Sequence, residues 1–358
     1  MIATMTARHP LTGPSVWNGR DMARSTRWIR AFPATAADAL DRALQVAKAR
    51  GLVWSQLTRD NFATEGLQGL LDDIRGELED GSGIVKLTGF PVARWSEDDL
   101  RLVYFGLGTH LGTPVFQNRS GELMRAIRDE GAHVGRTYGE VRDPTKGTTF
   151  LSSYARTLTN GGLRFHTDRT DVVGLLCVRQ ARRGGVSRLA STPAIHNALL
   201  ATRPDLLDVL FEDFWRSRLG KESSDPATVY RLPIFGLRDG KFTSHYSLTF
   251  IEAAELVPGV PKITAPQRAA IAALQAAAED LAFDMTLEPG DLQLINSHVT
   301  YHGRTPFEDD FDAGMNRLLL RLWLTMPGNR ALPVGHEVLW REIEANRPRG
   351  GIIQGGIA

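Results

Sequence analysis

The first third of the chain alternates between helical and extended patterns of apolar residues. Apolar residues recur every three to four positions in Thr35–Gly51, in Thr64–Gly81 and in Ser96–Gly112, which predicts three helices. Between the second and the third, Gly83–Phe90 is a short apolar run of the length of a buried strand. Residues 1–112 are therefore expected to be mainly helical decoration with one strand.

After residue 160 the pattern favours strands. Phe165–Ala181 mixes β-branched and apolar residues as one strand, and Val186–Ser191 follows a turn as the next. Thr192–Phe214 returns to helical spacing and is split before a proline. Tyr230–Glu252 contains two β-rich runs around an Asp-Gly pair, which predicts a hairpin.

The last part of the strand-rich region contains one long helix and three strands. The helix is predicted over Ala265–Phe283, with a proline in its first turn. Strands are predicted at Phe283–Leu287, Leu292–Asn296 and Arg317–Pro327, and a polar loop follows the second of them.

Strands interrupted by helices, without regular β-α alternation, predict a mainly β protein with peripheral helices (α+β), built as a double-stranded β-helix, the jelly roll of cupin-like proteins. We expect one domain over residues 1–358, because no internal repeat or Pro/Ser-rich linker divides the chain. The jelly-roll core is predicted at 160–327. The Gly-rich segment 346–358 is expected to be a flexible tail.

Composition narrows the class of function. The 42 basic and 41 acidic residues nearly balance, which argues against nucleic acid or an anionic membrane as a partner. Cys177 is the single cysteine, so an intrachain disulfide and a zinc-thiolate site are excluded. No apolar run is long enough for a signal peptide or a membrane span, so we expect a cytoplasmic protein. The sequence is compatible with a homo-oligomer.

One short pattern, His166-x-Asp168, carries candidate chemistry. Two side chains two positions apart on a strand leave the same face and can meet one metal ion. A third ligand must come from elsewhere, and His302, with His298 as its competitor, lies in the polar loop after a predicted strand. Two imidazoles and one carboxylate leave positions open on the metal, as in non-haem iron oxygenases, and zinc is compatible with the same ligands. Asp171 is expected to be a turn or salt-bridge residue.

Two segments together resemble a known family. Phe165–Ser191 contains His-x-Asp and, about twenty residues on, Gly-Gly-x-Ser; Pro289–Leu324 contains a histidine after an Asn-containing strand end and then two arginines four residues apart. This combination resembles the Fe(II)/2-oxoglutarate-dependent dioxygenases of the taurine dioxygenase and clavaminate synthase-like family. The resemblance spans roughly residues 83–327 and is vague before residue 160.

The resemblance implies roles for individual residues. His166, Asp168 and His302 would be the iron ligands, and Arg317 and Ser187 would bind the distal carboxylate of the co-substrate 2-oxoglutarate. A guanidinium can bind a carboxylate through two parallel hydrogen bonds.

The resemblance also suggests which residues meet the substrate. Arg321 would bind an anionic substrate or reinforce the co-substrate site, and Gln117 and Asn118 are candidate substrate contacts, with turn formation as the alternative. A carboxylate at position 168 disfavours halogenation, because halogenating relatives carry a small residue there.

The implied function is hydroxylation or desaturation of a small organic substrate, a carboxylate or sulfonate, with Fe(II), 2-oxoglutarate and O2 and with release of succinate and CO2. Two other functions are open from the sequence: a zinc-dependent hydrolase, and a cupin-like metal-binding sensor without turnover. Neither needs the carboxylate clamp that Arg317 and the Gly-Gly-x-Ser segment would provide.

Overall fold

A computed structural model gives the fold of the chain. It describes residues 8–131, 140–142, 149–151, 153–218 and 229–352. The last six residues of the predicted tail, 353–358, lie outside the described part.

Most helices lie where the apolar periodicity predicts them. In the described part of the chain they are α1 (Gly19–Arg24), α2 (Ala36–Ala49), α3 (Gln68–Glu79), α4 (Glu97–Leu111), α5 (Ser153–Thr157), α6 (Thr192–Thr202), α7 (Pro204–Leu210), α8 (Leu248–Ala254), α9 (Ala265–Leu281) and α10 (Glu337–Trp340). The hydroxyl of Ser96 caps α4 by accepting from the backbone N–H of Asp99, and Thr264 and Gln267 form a capping box on α9. None of the described helices is both long and apolar enough to cross a bilayer.

The strands that the structure describes are short. They are β1 (Ile29–Ala31), β2 (Ile84–Thr88), β3 (Thr113–Pro114), β4 (Met124–Ile127), β5 (Glu140–Arg142), β6 (Thr149–Leu151), β7 (Leu163–His166), β8 (Val172–Arg179), β9 (Arg183–Gly184), β10 (Ser187–Ser191), β11 (Phe214–Ser217), β12 (Val229–Leu232), β13 (Phe235–Arg238), β14 (Lys241–Ser244), β15 (Phe283–Met285), β16 (Leu292–Asn296), β17 (Thr300–Arg304), β18 (Phe307–Glu308) and β19 (Leu318–Thr325).

Two sheets carry the site. The larger has seven strands in the order β1-β2-β16-β8-β19-β3, with β4 also paired to β19. The smaller has four antiparallel strands in the order β15-β10-β17-β7. The N-terminal region is more than decoration, because β2 lies inside the larger sheet between β1 and β16.

Side-chain alternation along the strands separates three apolar layers. Leu320 and Leu322 of β19 belong to a cluster with helices α2 to α4, whereas Leu319 and Trp323 belong to a cluster with Leu189 of the smaller sheet. The outer face of the smaller sheet packs on α6 to α9. The two sheets therefore face each other across an apolar layer, with helices outside both, which agrees with a β protein that has peripheral helices.

One predicted strand has a different structure. The run Phe165–Ala181 is two strands, because β7 ends at His166 and β8 begins at Val172. The intervening residues bond to neighbouring loops instead of a strand: the Thr167 backbone N–H donates to the carbonyl oxygen of Tyr246 at 2.8 Å. Asp168 accordingly lies in a loop, and not on the strand that the two-residue spacing predicts.

The predicted hairpin over Tyr230–Glu252 is correct only in its centre. Strands β13 and β14 pair around Asp239 and Gly240, which both have positive φ. Its last part is helix α8, although it is rich in residues that favour strands. The reason is packing: Ile251 is buried in the cluster that α9 also joins, so tertiary contacts override strand propensity.

The prediction of a flexible tail from residue 346 is wrong for its first residues. The side chain of Arg349 is buried and donates from Nε to Asp171 Oδ1 at 2.8 Å. The backbone N–H of Ile352 donates to the carbonyl oxygen of Phe116 at 2.8 Å. A Gly-rich composition indicated mobility, but the one arginine within it has a buried carboxylate as its partner.

Candidate metal centre and co-substrate site

Two histidines meet across a pair of antiparallel strands. His302 of β17 lies directly opposite His166, the last residue of β7, and the two ring centroids are 4.2 Å apart. The polar loop that the sequence predicts around His302 is wrong, because β17 is paired on both sides, with β7 and with β10. A strand flanked by two others fixes the direction of this imidazole better than a loop would.

Asp168 completes the group from the loop after β7. Its Oδ1 lies 3.8 Å from Nε2 of His166, and its Oδ2 lies 3.8 Å from Nε2 of His302. One ligand atom from each residue lies within 4.8 Å of the other two. Ligands about 2.1 Å from one ion are roughly 3 to 4 Å apart, so this spacing fits a single divalent cation.

The protonation states also fit a metal. Nδ1 of His166 lies 2.9 Å from the carbonyl oxygen of Arg164, so a proton on Nδ1 donates to that oxygen and leaves the Nε2 lone pair for the ion. Burial, with a smaller contribution from His166, lowers the pKa of His302 to about 3. The buried imidazole of His302 can therefore be neutral, the form in which histidine binds a metal.

The surroundings of Asp168 keep it anionic. The indole Nε1 of Trp323 donates to Asp168 Oδ2 at 2.9 Å, and Nη1 of Arg321 lies 3.9 Å from the same oxygen. Burial raises the pKa of this carboxyl, but Arg321, the two histidines and the indole lower it by more, and the net shift is downward. The sequence alone does not predict this role for Trp323; its even spacing from Arg321 on β19 is the signal that places both on one face.

Gln117 holds Arg321 in place. Its Oε1 accepts from Nε of Arg321 at 2.7 Å, and its Nε2 donates to the carbonyl oxygens of Arg321 and Leu123 at 2.9 and 3.0 Å. The Gln117 side chain is fully buried, and both ends of its amide are engaged by these bonds rather than open to a ligand. Asn118 forms a turn, because its Oδ1 accepts from the backbone N–H of Ser120 at 3.0 Å.

Arg317 lies immediately before β19 and is 6 % exposed, not a solvent-facing strand charge. Its Cζ lies 5.2 Å from the ring centroid of Phe307. Its Nη1 is buried without a hydrogen-bond partner among the described residues. A buried guanidinium donor left open is the arrangement expected where a carboxylate binds.

Two glycines precede Val186 and Ser187, and the second of them makes room for this guanidinium. Gly185 has φ +69°, and a Cβ built on it would lie 2.9 Å from Nε of Arg317. Gly184 has φ +73°, and its Cβ would lie 2.0 Å from the carbonyl oxygen of Pro306. Only glycine satisfies both conditions, a left-handed backbone and close contact. Ser187 follows as the buried first residue of β10.

Arg304 is the last residue of β17, where the sequence predicts a loop. Its Cζ lies 4.9 Å from the Phe307 ring that also contacts Arg317, and its Nη2 donates to the carbonyl oxygen of Thr159 at 2.6 Å. Burial, and to a smaller extent the charge of Arg317, lowers the pKa of Arg304 to about 9. Arg304 thus ties the segment before β7 to the wall of the co-substrate site.

His298 belongs to a different buried group. Its Nε2 lies 2.9 Å from Asp171 Oδ1, while the second carboxylate oxygen accepts from the Thr325 hydroxyl at 3.0 Å and from Nδ2 of Asn329 at 2.8 Å. Burial raises the pKa of the Asp171 carboxyl, but His298 and Arg349 hold it well below its usual range. Asp171 is a salt-bridge residue, as predicted: Arg349 is its ion-pair partner, and His298 is a hydrogen-bond partner.

The chain matches the family model of the taurine catabolism dioxygenase TauD, TfdA family over residues 54–323. It is 30 % identical to FR-33289 synthase from Streptomyces rubellomurinus, over 91 % of this chain and 93 % of the relative. It is 28 % identical to clavaminate synthase 2 from Streptomyces clavuligerus, over 76 % and 82 % of the two chains.

The chain belongs to the TauD, TfdA family. It is an Fe(II)- and 2-oxoglutarate-dependent oxygenase that uses O2, and the family resemblance stated from the sequence is confirmed. Membership in this family favours the oxygenase over the zinc hydrolase and over the sensor without turnover.

Solved structures agree on the fold of this TauD-family chain. An asparagine oxygenase solved with Fe(II), 3-hydroxyasparagine and succinate superposes with a TM-score of 0.61, at 18 % identity, over 84 % of this chain and 94 % of the other. A non-haem iron oxygenase solved with Fe and α-ketoglutaric acid superposes with a TM-score of 0.59, also at 18 % identity, over 83 % and 94 %. At this level of identity the likeness concerns the fold.

Proposed function

We propose that this oxygenase hydroxylates an unactivated C–H bond of a small anionic organic substrate. In the balanced reaction, substrate, 2-oxoglutarate and O2 give hydroxylated substrate, succinate and CO2, with one oxygen atom entering each organic product. The two facing sheets would form the double-stranded β-helix of one domain, with the reaction at the open end between them.

The proposal rests on one observation above all, the convergence of His166, Asp168 and His302. These residues would hold Fe(II) on one face and leave the opposite positions for co-substrate and oxygen. The iron supplies the oxidising chemistry, and the protein supplies orientation and exclusion of water. Trp323 and Arg321 would hold the Asp168 carboxylate in one position while the reaction proceeds.

Arg317 and the neighbouring Gly-Gly-x-Ser segment would bind the co-substrate. The open Nη1 of Arg317 would donate to the distal carboxylate of 2-oxoglutarate, with the Ser187 hydroxyl as a second donor. Arg317 precedes β19 and Asp168 follows β7, so in this proposal the co-substrate would extend from the guanidinium to the metal. Arg321 adds positive charge beside the metal, which favours an anionic substrate.

Succinate release tests the proposal. The protein supplied with Fe(II), ascorbate and 2-oxoglutarate should form succinate above its substrate-free rate with a member of a panel of small acids. His166→Ala, Asp168→Ala and His302→Ala should each abolish that increase and also lower Fe(II) affinity in an anaerobic binding assay. The exposed His9→Ala is the matched control and should retain both. Normal coupled turnover in His302→Ala would contradict the ligand assignment.

A further inference from the structure

A row of paired residues crosses the larger sheet at the level of the candidate metal centre. Gln293 of β16 pairs with Lys86 of β2 on one side and with Leu175 of β8 on the other. Leu175 pairs in turn with Arg321 of β19, and Nη1 of Arg321 lies 3.9 Å from Asp168 Oδ2. Directly paired residues point to the same face of a sheet, so these four side chains share one face and the row passes the metal centre.

The shared face is the one that meets the smaller sheet. Ile295, two residues after Gln293 on β16, belongs to the apolar layer between the two sheets, together with Leu189 of the smaller sheet. Leu292 and Leu294, which alternate with them along the strand, belong to the layer under helices α2 to α4. The side chain of Gln293 therefore points into the space between the two sheets.

Contacts between the sheets indicate which strands face each other. Nζ of Lys86 on β2 donates to the carbonyl oxygen of Thr286, which follows β15, at 3.1 Å. The indole of Trp323 on β19 donates to Asp168, which follows β7. The strand orders are β2-β16-β8-β19 and β15-β10-β17-β7, so these contacts place β16 opposite β10, the strand of Ser187. The inner face of β16 therefore meets the side where the co-substrate would bind.

The amide of Gln293 has no partner within the described part of the chain. The residue is 1 % exposed, and neither Oε1 nor Nε2 has a hydrogen-bond partner there. Its neighbour Lys86 is occupied, because Nζ lies 2.7 Å from Asp291 Oδ2, and its other neighbour, Leu175, is apolar. A buried amide that is open at both ends is unfavourable unless another molecule completes its hydrogen bonds.

Leu175 indicates that there is space for such a molecule. Val173 and Cys177, its nearest neighbours on the same face of β8, are buried, whereas Leu175 between them is partly exposed. Accessible surface on a residue that faces the other sheet means that the space in front of it is open. This space lies between the open amide of Gln293 and the guanidinium of Arg321 beside the metal centre.

We propose that Gln293 is a further co-substrate-binding residue, whose Nε2 donates a hydrogen bond to an oxygen of 2-oxoglutarate. This inference rests on the proposed function and adds a neutral donor from the larger sheet to Arg317 and Ser187. Ionised 2-oxoglutarate has only acceptor oxygens, so the amide presents Nε2 to it, and Oε1 accepts from a water that binds with it. A co-substrate that is held from both sheets has one orientation towards the metal.

Binding of 2-oxoglutarate tests this residue on the intact protein loaded anaerobically with Fe(II). Gln293→Met keeps an unbranched side chain of similar length without its amide, and it should raise the Kd for 2-oxoglutarate about tenfold or more, because the co-substrate loses a donor. The visible charge-transfer absorption of Fe(II) with 2-oxoglutarate, followed over a titration, measures this Kd. Gln293→Leu should have the same effect and keeps the test valid where Gln293→Met fails to fold.

Thermal unfolding separates a binding role from a structural one. Without iron and co-substrate, Gln293→Met should have a Tm equal to or above that of the unchanged protein, because it removes an open amide from the interior. A glutamine that only supports the fold would give the opposite pair of results, a lowered Tm with an unaltered Kd, and that pair would contradict the proposal.

Tyr104→Phe is the matched control. The hydroxyl of Tyr104 is also buried without a partner among the residues that the structure describes, but it lies with α4 against the opposite face of the larger sheet. This variant likewise removes an open polar group from the interior, and it should keep the Kd for 2-oxoglutarate. Equal Kd values in Gln293→Met and Tyr104→Phe would overturn the proposal.

Two further results separate the possible failures. If the unchanged protein shows no charge-transfer absorption, the proposed function fails; if it shows this absorption and Gln293→Met has an unaltered Kd, only this inference fails. An unaltered Kd for 2-oxoglutarate together with a raised KM for the organic substrate would place the amide against the substrate and would contradict the assignment to the co-substrate.

Discussion

The two arginines of the β19 region have different tasks because different groups face them. Arg317 is buried with Nη1 open, whereas Arg321 is held by Gln117 and lies beside Asp168. A buried guanidinium without an anion is costly. Arg317 forms no ion pair within the described part of the chain, which supports the proposed carboxylate ligand there, whereas Arg321 already faces Asp168 and is suited to orient it.

Replacing Arg317 tests its role as the co-substrate anchor. Arg317→Lys should raise the KM for 2-oxoglutarate about ten- to a hundredfold, because an ammonium group cannot donate two parallel hydrogen bonds to a carboxylate. Steady-state succinate formation at varied 2-oxoglutarate measures the change. Arg182→Lys, at a 55 % exposed position 3.5 Å from Asp310, should leave this KM unaltered. An unaltered KM in Arg317→Lys as well would remove Arg317 from the co-substrate site.

The indole of Trp323 makes a hydrogen bond that can be removed with little change in shape. Trp323→Phe should lower Fe(II) affinity about ten- to a hundredfold, since the Asp168 carboxylate loses the donor that orients it. Trp28→Phe deletes another buried indole donor, one that bonds the carbonyl oxygen of Met22 away from the metal centre. Equal Fe(II) affinities in the two variants, measured anaerobically, would show that the hydrogen bond at Trp323 does not matter.

At the scale of elements, the sequence predicts those helices and turns that depend on a local residue pattern. It does not predict strands that form only through partners distant in the sequence. The start of α9, with a proline in its first turn, and the hairpin at Asp239 and Gly240 are local, and both are predicted at their observed places. The strand that carries His302 is not, because β17 has no alternating apolar pattern of its own and exists through its two neighbours. The three candidate ligands that the structure brings together could be named from the sequence, but their geometry could not.

The Gly-Gly-x-Ser turn gives a test of element geometry. Gly185→Ala should lower the free energy of unfolding by roughly 1 to 2 kcal/mol, because φ is +69°, and should also raise the KM for 2-oxoglutarate, because the new Cβ displaces Arg317. Gly240→Ala shares the positive φ, +73°, but its Cβ would meet nothing within 4 Å. The Gly240→Ala control should lose a similar free energy of unfolding and keep the unchanged protein's KM for 2-oxoglutarate. A normal KM in Gly185→Ala would contradict the close contact.

At the scale of the whole molecule, the C-terminal segment closes on the loop of the metal ligand. Arg349 donates to Asp171, three residues after Asp168, and Gly351 bonds the carbonyl oxygen of Arg169. Composition alone indicated a mobile tail, because its glycines carry no pattern, and the buried partner of Arg349 is far away in sequence. The tail therefore supports the site from outside the two sheets.

Removing this support should destabilise the fold. Arg349→Ala leaves the Asp171 carboxylate buried without its cation and should lower the free energy of unfolding by about 3 to 5 kcal/mol. Arg347→Ala, at an exposed position two residues earlier, should change it by less than about 0.5 kcal/mol. Urea denaturation of both variants measures the difference. Equal stability of the two would mean that the segment is dispensable.

The central claim is that His166, Asp168 and His302 hold one iron between the two sheets. The most direct measurement is anomalous X-ray scattering from crystals grown anaerobically with Fe(II) and 2-oxoglutarate. We predict one iron peak within about 2.0 to 2.3 Å of Nε2 of both histidines and of one Asp168 oxygen, and 2-oxoglutarate density reaching Arg317. An iron peak at His298 and Asp171, or none near His302, would contradict the account.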